Sequence, residues 1–588
     1  MTLEFQKIAN YFAKRNYLQY VAVFILFFSF LFILQFSFPN LICPDGYYHI
    51  KQAYLIRTQE FSAVTDFHWT KYSTLNDHSS DLWLGYHLLL MPFTFFKDLV
   101  FGAKLANVFF TTIFFAIFYF LLKHFKVKFP LFWISILTVI NVGFMFRLLL
   151  PRGAIFSIVS TLLALYFIKE RKYIALFFLS WFYAFSYPGF VILLILAILY
   201  ALLEIIYKKQ FNPRFFISIL SGVILGLTIR PDFPNNLYML FVQDFLAIFY
   251  KIKGIGLNFG AEFVANYSSF DKWEIVVFFL YLFFLFIAFR KLHKKISTTF
   301  SLVFYYLLIF FICLLSLIFS EAPILGKHLG LLGFFGLLVF WGLFPLIAFF
   351  IVLSKKKVLD NFFVFYLFLV CSLFYVLSLV AGRFIEYFVP ILLFSLAVSI
   401  APLIKLKEQF VSKIFWKKIF LVIIIAFCFP LSFLLQQPNT SSSYIDSFRE
   451  TAPFLRSVLK ENDVLFHISW SDFPGLFYYN DKNVYLAGMD PTFMYVKNVH
   501  LYWLWRNIPL GIVCDKEKCP NYLKVCKSDT PWEIYKTIKN NFPVNYIFIK
   551  DATTSDKNLV NILRADSGLF KEVPRENYFL KAKVFKIL

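Results

Sequence analysis

Tyr20–Phe38, YVAVFILFFSFLFILQFSF, followed at Cys43–Ala53 by CPDGYYHIKQA, decides how this chain is read. The first run carries no charge and is as long as the roughly 18–20 residues a helix needs to cross hydrocarbon. The second sets a carboxylate, Asp45, just past its end, among tyrosines and a histidine. Comparable apolar runs recur through the first 436 positions, for example Ser301–Phe319, SLVFYYLLIFFICLLSLIF. The 588 residues are 60% hydrophobic and 15% charged, whereas a soluble chain carries about 25% charged residues. Backbone in lipid must satisfy its own hydrogen bonds, so such runs are helices. The fold class is a polytopic α-helical membrane protein.

The net charge of +23 does not point to nucleic acid. Much of it lies in short clusters between apolar runs, such as Lys123/Lys126/Lys128, Lys208/Lys209 and Lys355/Lys356/Lys357. That is the cytoplasmic-loop pattern of the positive-inside rule. Alternation of these clusters predicts about 13 transmembrane helices. They fall near 18–38, 103–122, 129–147, 153–168, 173–187, 189–207 and 214–230, then near 273–289, 298–320, 329–353, 359–380, 384–404 and 419–436. The amino terminus is then cytoplasmic and residues 437–588 lie outside, with the chain in the plasma (inner) membrane. The first run reads as a span and not a cleaved leader, being too long and lacking a small-residue cleavage site.

Two long outer loops are expected, at about 39–102 and 231–272. After residue 436 the run QQPNTSSS reads as a linker. Helix-like stretches at 445–460, 531–541 and 557–565 then alternate with β-type runs at 464–469, 544–550 and 579–588. This predicts an extracytoplasmic α/β domain of ordinary size. It holds Cys514, Cys519 and Cys526, enough for one disulfide; four zinc ligands are not in view. Cys313, Cys371 and Cys428 lie in apolar runs as small fillers.

Several groups can carry chemistry. Tyr47, Tyr48 and His49 suit the headgroup level, and IKQAYLIRTQEF at 50–61 reads as a helix lying on the membrane surface. A carboxylate fixed there, Asp45, can accept an acceptor's proton or hold a divalent cation, Mg or Mn, against a phosphate. Asp77, His78, Asp81 and His87 in NDHSSDLWLGYH have the types for metal binding or acid–base work, so Asp45, Asp77 and Asp81 are the candidate metal ligands. Arg147 and Arg152 (RLLLPRG) flank an outer helix end, where a guanidinium seeks an anion and binds phosphate bidentately. Arg383 and Glu386 are three apart, the spacing of an intrahelical pair; Arg383 is equally placed for substrate. Glu262, late in the second long loop, is a candidate second carboxylate, since long loops often serve as lids. Trp470, Asp472 and Phe473, directly after an expected strand, offer stacking and hydrogen bonding.

These residues resemble the GT-C type of integral-membrane glycosyltransferases, most closely the catalytic subunit of oligosaccharyltransferase. Asp45-Gly46-Tyr47-Tyr48-His49-Ile50-Lys51 is similar to that family's first outer loop, which supplies an essential carboxylate. Trp470-Ser471-Asp472-Phe473-Pro474 resembles a degenerate WWDYG, the acceptor-recognition segment, departing at Ser471 and Pro474. The family also places an acidic pair between its third and fourth spans to complete a metal site. Here that stretch, FRLLLPRGAIF, has two arginines and no acid, so either Asp77 or Asp81 substitutes or the arginines do the ion's electrostatic work. The resemblance implies that Asp45 and Glu262 are catalytic, that Arg147, Arg152 and Arg383 grip a donor phosphate, and that Trp470, Asp472 and Phe473 bind the acceptor.

The expected function is transfer of a sugar or oligosaccharide from a polyprenyl-(di)phosphate donor to a protein, lipid or glycan acceptor. A flippase of lipid-linked saccharides, or a non-catalytic subunit of a glycan assembly complex, is the competing expectation.

Overall fold

Backbone that meets no water must bond to itself, and each apolar run covered by the computed structural model is helical. The structure describes residues 16–260, 362–401, 414–436, 444–517, 530–550, 554–573 and 582–588. Glu262, Cys313, Cys519, Cys526, most of the linker and the spans expected at 273–289, 298–320 and 329–353 lie outside the described residues.

The helices are α1 (Asn16–Phe36), α2 (Pro44–Gln59), α3 (Leu84–Leu90), α4 (Leu99–His124), α5 (Pro130–Leu137), α6 (Val142–Leu148), α7 (Ala154–Lys169), α8 (Tyr173–Ser186), α9 (Val191–Lys208) and α10 (Arg214–Thr228). After the undescribed stretch come α11 (Phe362–Val380), α12 (Ile385–Ile400) and α13 (Ile414–Gln436). Among the described residues, four helices are long and apolar enough to cross a membrane: Tyr17–Phe36, Leu99–His124, Pro188–Lys208 and Gly382–Ser399. Counting the bent pair α5–α6 as one span makes five. Shorter apolar helices, including α7, α8 and α10, stand where further spans were expected. The molecule is mostly helical, and its apolar helices are compatible with membrane insertion.

Two features of the helical part have clear local causes. The run at 129–147, expected as one helix, is broken by an 89° bend. Asn141 is extended there, and its side-chain oxygen accepts the Phe144 N–H at 2.7 Å, capping α6 as a new helix. In α10, Gly222 and Gly226 lie against the α8 backbone so closely that a side chain at either would collide with the carbonyl of Phe177 or Trp181. Small residues four apart let helices approach in this way without a hydrophobic drive.

The carboxy-terminal part holds α14 (Thr451–Val458), α15 (Phe473–Tyr479), α16 (Pro491–Lys497) and a five-stranded sheet. Its strands are β1 (Val464–His467), β2 (Val484–Tyr485), β3 (Val544–Ile549), β4 (Phe570–Glu572) and β5 (Lys583–Ile587), in the order β2-β1-β3-β5-β4. β1 is parallel to β2 and β3, and β5 is antiparallel to β3 and β4. The expected strands at 464–469, 544–550 and 579–588 are thus present in shortened form. β2 and β4 are too short to show alternation. Cys514 is disulfide-bonded.

The first long loop completes this sheet. Trp69–Tyr72 runs beside β2: Tyr485 N–H donates to Trp69 O at 2.8 Å, Lys71 N–H to Tyr485 O at 2.7 Å, and Tyr72 N–H to Leu486 O at 3.0 Å. An otherwise open sheet edge is covered. Below it, Tyr47, Tyr48, Ile50, Phe67 and Trp69 share one apolar core with Phe448, Leu465, Phe473, Phe477 and Tyr485. Lys51 pairs with Asp481 at 2.8 Å. Burial raises the Asp481 carboxyl, but Lys51 and Arg456 more than offset it and hold it below its usual range. The helix expected to lie on a membrane surface is therefore clamped under the carboxy-terminal domain, because Gly46 through Ala53 are buried against α15 and α3.

Trp505 Nε1–H donates to the carbonyl of His467, whose imidazole is buried and neutral, pushed down to about 4 by burial against weaker backbone hydrogen bonds. An unfolded histidine titrates near 6.5, so the unfolded state binds protons first as pH falls. The carboxy-terminal domain should lose stability between about pH 6.5 and 4, by up to about 3 kcal/mol. Denaturant titrations followed by tryptophan fluorescence should show this loss, and His467→Gln should flatten it.

Candidate functional site

Asp45 owes its place to the start of α2. Cys43 is extended, Pro44 opens the helix with its φ already suitable, and Asp45 falls in the first turn, where unpaired N–H groups favour an anion. Arg152 reaches it from the turn between α6 and α7, donating from Nη2 to Asp45 Oδ2 at 2.8 Å. The same guanidinium donates through Nε and Nη2 to Cys43 Sγ at 3.1 and 3.0 Å. Burial pushes the Cys43 thiol up to about 11 although Arg152 pulls the other way, so it stays a neutral acceptor. The side chains of Asp45 and Arg152 are 40% and 23% exposed, enough for a ligand to reach the pair. Gly46 is demanded by packing, since any Cβ there would run into Pro151.

The surrounding wall is aromatic. A Cβ on Gly153 would lie 3.2 Å from Tyr187 and 3.4 Å from Trp83 and Tyr86, so glycine keeps these rings close to Arg152. Arg383 donates to the hydroxyl of Tyr187, the ring that packs against Gly153 next to Arg152, at 2.8 Å. Arg147 is used differently. It pairs across helices with Glu386, both largely buried, a neutralised pair whose disruption is costly. Glu386 is thus matched to α6, where an intrahelical partner at Arg383 had been expected.

The carboxy-terminal segment at 470–474 comes to the same region through Tyr444. Its hydroxyl donates to Ser471 O at 2.7 Å and accepts Gly475 N–H at 3.1 Å. Burial drives this phenol well above its ordinary range, and the charge of Asp472 and, more weakly, of Asp45 acts in the same direction. Tyr444 therefore lies within electrostatic reach of both carboxylates. Asp472 is buried, and burial lifts its carboxyl to about 7 against the pull of Lys550, whose ammonium lies 4.4 Å over the Tyr444 ring. Trp470 Nε1–H donates to Asn258 O at 2.9 Å, fastening the last described part of the loop that leads to Glu262. Phe473 has no exposed surface and stacks on Phe477 within the shared core, so its ring is a packing group.

The three candidate metal ligands are not brought together. Asp77 pairs with Lys497, Asp81 accepts from His87 Nδ1 at 2.5 Å, and Asp45 pairs with Arg152. Among the described residues no group of three His, Cys, Asp or Glu side chains is arranged to hold a metal ion. Each of the three carboxylates among the described residues is instead taken up by a side chain of the protein.

Other groups were not singled out from sequence. Arg230 and Asp232 form a buried pair that grips the turn holding Asp81: Asp232 Oδ2 accepts from Ser80 Oγ at 2.7 Å and from Asp81 N–H at 3.0 Å, and Arg230 donates to Asp81 O. Asp244 lies on a π-helical turn, Phe241–Leu246. Burial raises its carboxyl to about 7, Arg383 opposes the rise and Asp490 adds to it, so Asp244 shares the field of Arg383. Neither Tyr444 nor Asp244 carried a signal visible in the sequence.

No protein-family model matches the chain, and no curated protein matches it either.

Gly46→Ala should prise α2 from Pro151 and part Asp45 from Arg152. Maleimide labelling at pH 8, read by mass spectrometry, should then find Cys43 reactive in the variant and protected in the parent chain.

Proposed function

We propose that the chain is a membrane glycosyltransferase that takes a sugar or oligosaccharide from a polyprenyl-phosphate or -diphosphate donor. The observation that carries this reading is the reachable Asp45–Arg152 pair at the junction of the apolar helices and the carboxy-terminal domain. A donor phosphate competes with Asp45 for Arg152, whose planar fork suits phosphate oxygens. Its arrival frees the carboxylate beside the sugar it delivers. The carboxylate then accepts the proton of an incoming hydroxyl or amide as the bond from sugar to phosphate breaks and the bond to the acceptor forms. Arg383 is a second anchor for the leaving phosphate. Trp470, whose segment is tied to the same region through the Tyr444–Ser471 bond, is the group offered to the acceptor. On this reading the full set of about 13 spans puts the carboxy-terminal domain outside the plasma (inner) membrane, in keeping with the disulfide at Cys514. Glu262 would join the site from the second loop.

Purified protein in nanodiscs, incubated with radiolabelled polyprenyl-linked sugars and candidate acceptors, tests this directly. Asp45→Asn should cut transfer by about 100-fold or more while donor binding persists, and Arg152→Ala should weaken donor binding itself. Full transfer by Asp45→Asn would reject the role given to that carboxylate.

The bent α5–α6 pair favours a second reading, a flippase of lipid-linked saccharides, because transporters build their sites on interrupted helices. Fluorescent lipid-linked sugar crossing liposomes containing the protein, with no covalent product, would decide for it.

A further inference from the structure

α10 is too short to cross a bilayer. Its 15 residues rise about 22 Å at roughly 1.5 Å each, against a hydrocarbon layer of roughly 30 Å. Lys208, Lys209 and Arg214 mark its polar end, so the chain turns at 229–234 while still level with the apolar layer. The turn suits that depth. Its charged residues, Arg230 and Asp232, are both buried and pair at 2.8 Å, while Ile229 and Phe233 are exposed. Beside hydrocarbon a charge must be turned inward and paired; in water the opposite arrangement is favoured.

After the turn the chain is helical from 235 to 252, as Asn235–Leu240, a π-helical turn Phe241–Leu246, and Ala247–Ile252. Leu237, Phe241, Phe245, Ile248, Phe249 and Ile252 are each 37–66% exposed. Positions four apart drift around an α-helix of roughly 3.6 residues per turn. The wider π turn in the middle offsets that drift and keeps 237, 241, 245 and 249 in one stripe. Protein settles the opposite side. Met239 and Val242 are fully buried in the core that holds Tyr48 and Phe473. Asn236 Nδ2–H donates to Leu227 O at 2.9 Å, and Tyr250 packs edge-on against Tyr495 at 5.0 Å between centroids. The segment is thus held at both ends with its stripe outward.

So long a row of large apolar side chains marks an interaction surface, and what adjoins the row identifies the partner. On the outer side of α10, Ile217, Leu220 and Ile224 are 45–62% exposed. Ile229 and Phe233 carry the row across the turn without a polar gap. Hydrocarbon is the solvent in which the exposed side of α10 is not penalised, and the row continuing from it takes the same solvent. At the far end come Lys251 and Lys253, and the Lys253 ammonium lies 4.4 Å over the Phe249 ring. A cation therefore stands at the rim of the stripe, as on helices that lie at the headgroup boundary.

We propose that 235–252 is a membrane-seated helix, its stripe of Leu237, Phe241, Phe245 and Phe249 lying among phospholipid acyl chains at the bilayer interface and Lys251 and Lys253 at the headgroups. The occupant of the stripe is lipid, not a second copy of this chain or a soluble protein. The seat does not depend on glycosyl transfer. It brings the bilayer to the segment that carries Asp244, whose carboxyl shares the field of Arg383.

Two measurements on the full chain, in nanodiscs of phosphatidylethanolamine and phosphatidylglycerol, test the seat. With p-benzoylphenylalanine in place of Phe245 or, separately, Phe241, irradiation should yield phospholipid adducts by mass spectrometry. The same probe in place of Trp532, which is 56% exposed on the carboxy-terminal domain, should yield none. Hydroxyl-radical footprinting of the parent chain, which needs no substitution, should find Phe241, Phe245 and Phe249 protected and Trp532 oxidised. Crosslinks to a second copy or to another segment of this chain, or oxidation of the three phenylalanines alongside Trp532, would overturn the proposal.

Discussion

The carboxy-terminal sheet has an edge it cannot leave open, and the first long loop is what covers it. Trp69–Tyr72 supplies the missing backbone partners for β2, and Tyr48, Phe67 and Phe473 close a common apolar core beneath. Each side would otherwise expose unpaired backbone groups and a sizeable aromatic surface. Lys51 and Asp481 then fix the register of α2 under the domain. With α2 held, its amino-terminal end, and so Asp45, has a defined position relative to the helices that carry Arg152 and Arg383.

That constraint explains how a site can be assembled from segments so far apart in sequence. Asp45 comes from the first loop, Arg152 from a turn between apolar helices, Arg383 from the 3-10 turn Gly382–Phe384 that precedes α12, and Tyr444 from just past the linker. None of these would be precise on a free loop. Glycine does much of the spacing: Gly46 admits Pro151, and Gly153 admits three aromatic rings. The result is a charged pair with partial solvent access at the edge of an apolar body.

Much of this was legible in residue types. The length of the apolar runs announced helices. The tail's strands at 464–469 and 544–550 showed in their β-branched and aromatic content, and Asp45 stood out by its neighbours. Arg147 and Arg152 looked equivalent in RLLLPRG, yet one is spent on Glu386 and the other faces Asp45. Phe473 looked like a ligand-stacking ring and proved to be a core residue. Asp77, Asp81 and His87 looked like a metal cluster; Lys497 takes Asp77, and the Arg230–Asp232 pair holds the turn that carries Asp81. In each case the deciding partner lies dozens to hundreds of residues away.

By itself, then, the sequence determined that the chain is built of apolar helices with a mixed carboxy-terminal domain, because hydrophobic run length and strand composition are local properties. It also marked Asp45 as a carboxylate beside hydrocarbon. Only the tertiary structure decided which arginine that carboxylate meets, that α2 is covered by the carboxy-terminal domain, and that His87 bonds Asp81. Hydrogen bonds and ion pairs select partners by distance in space, and spacing along the chain carries that information only when both partners share one helix.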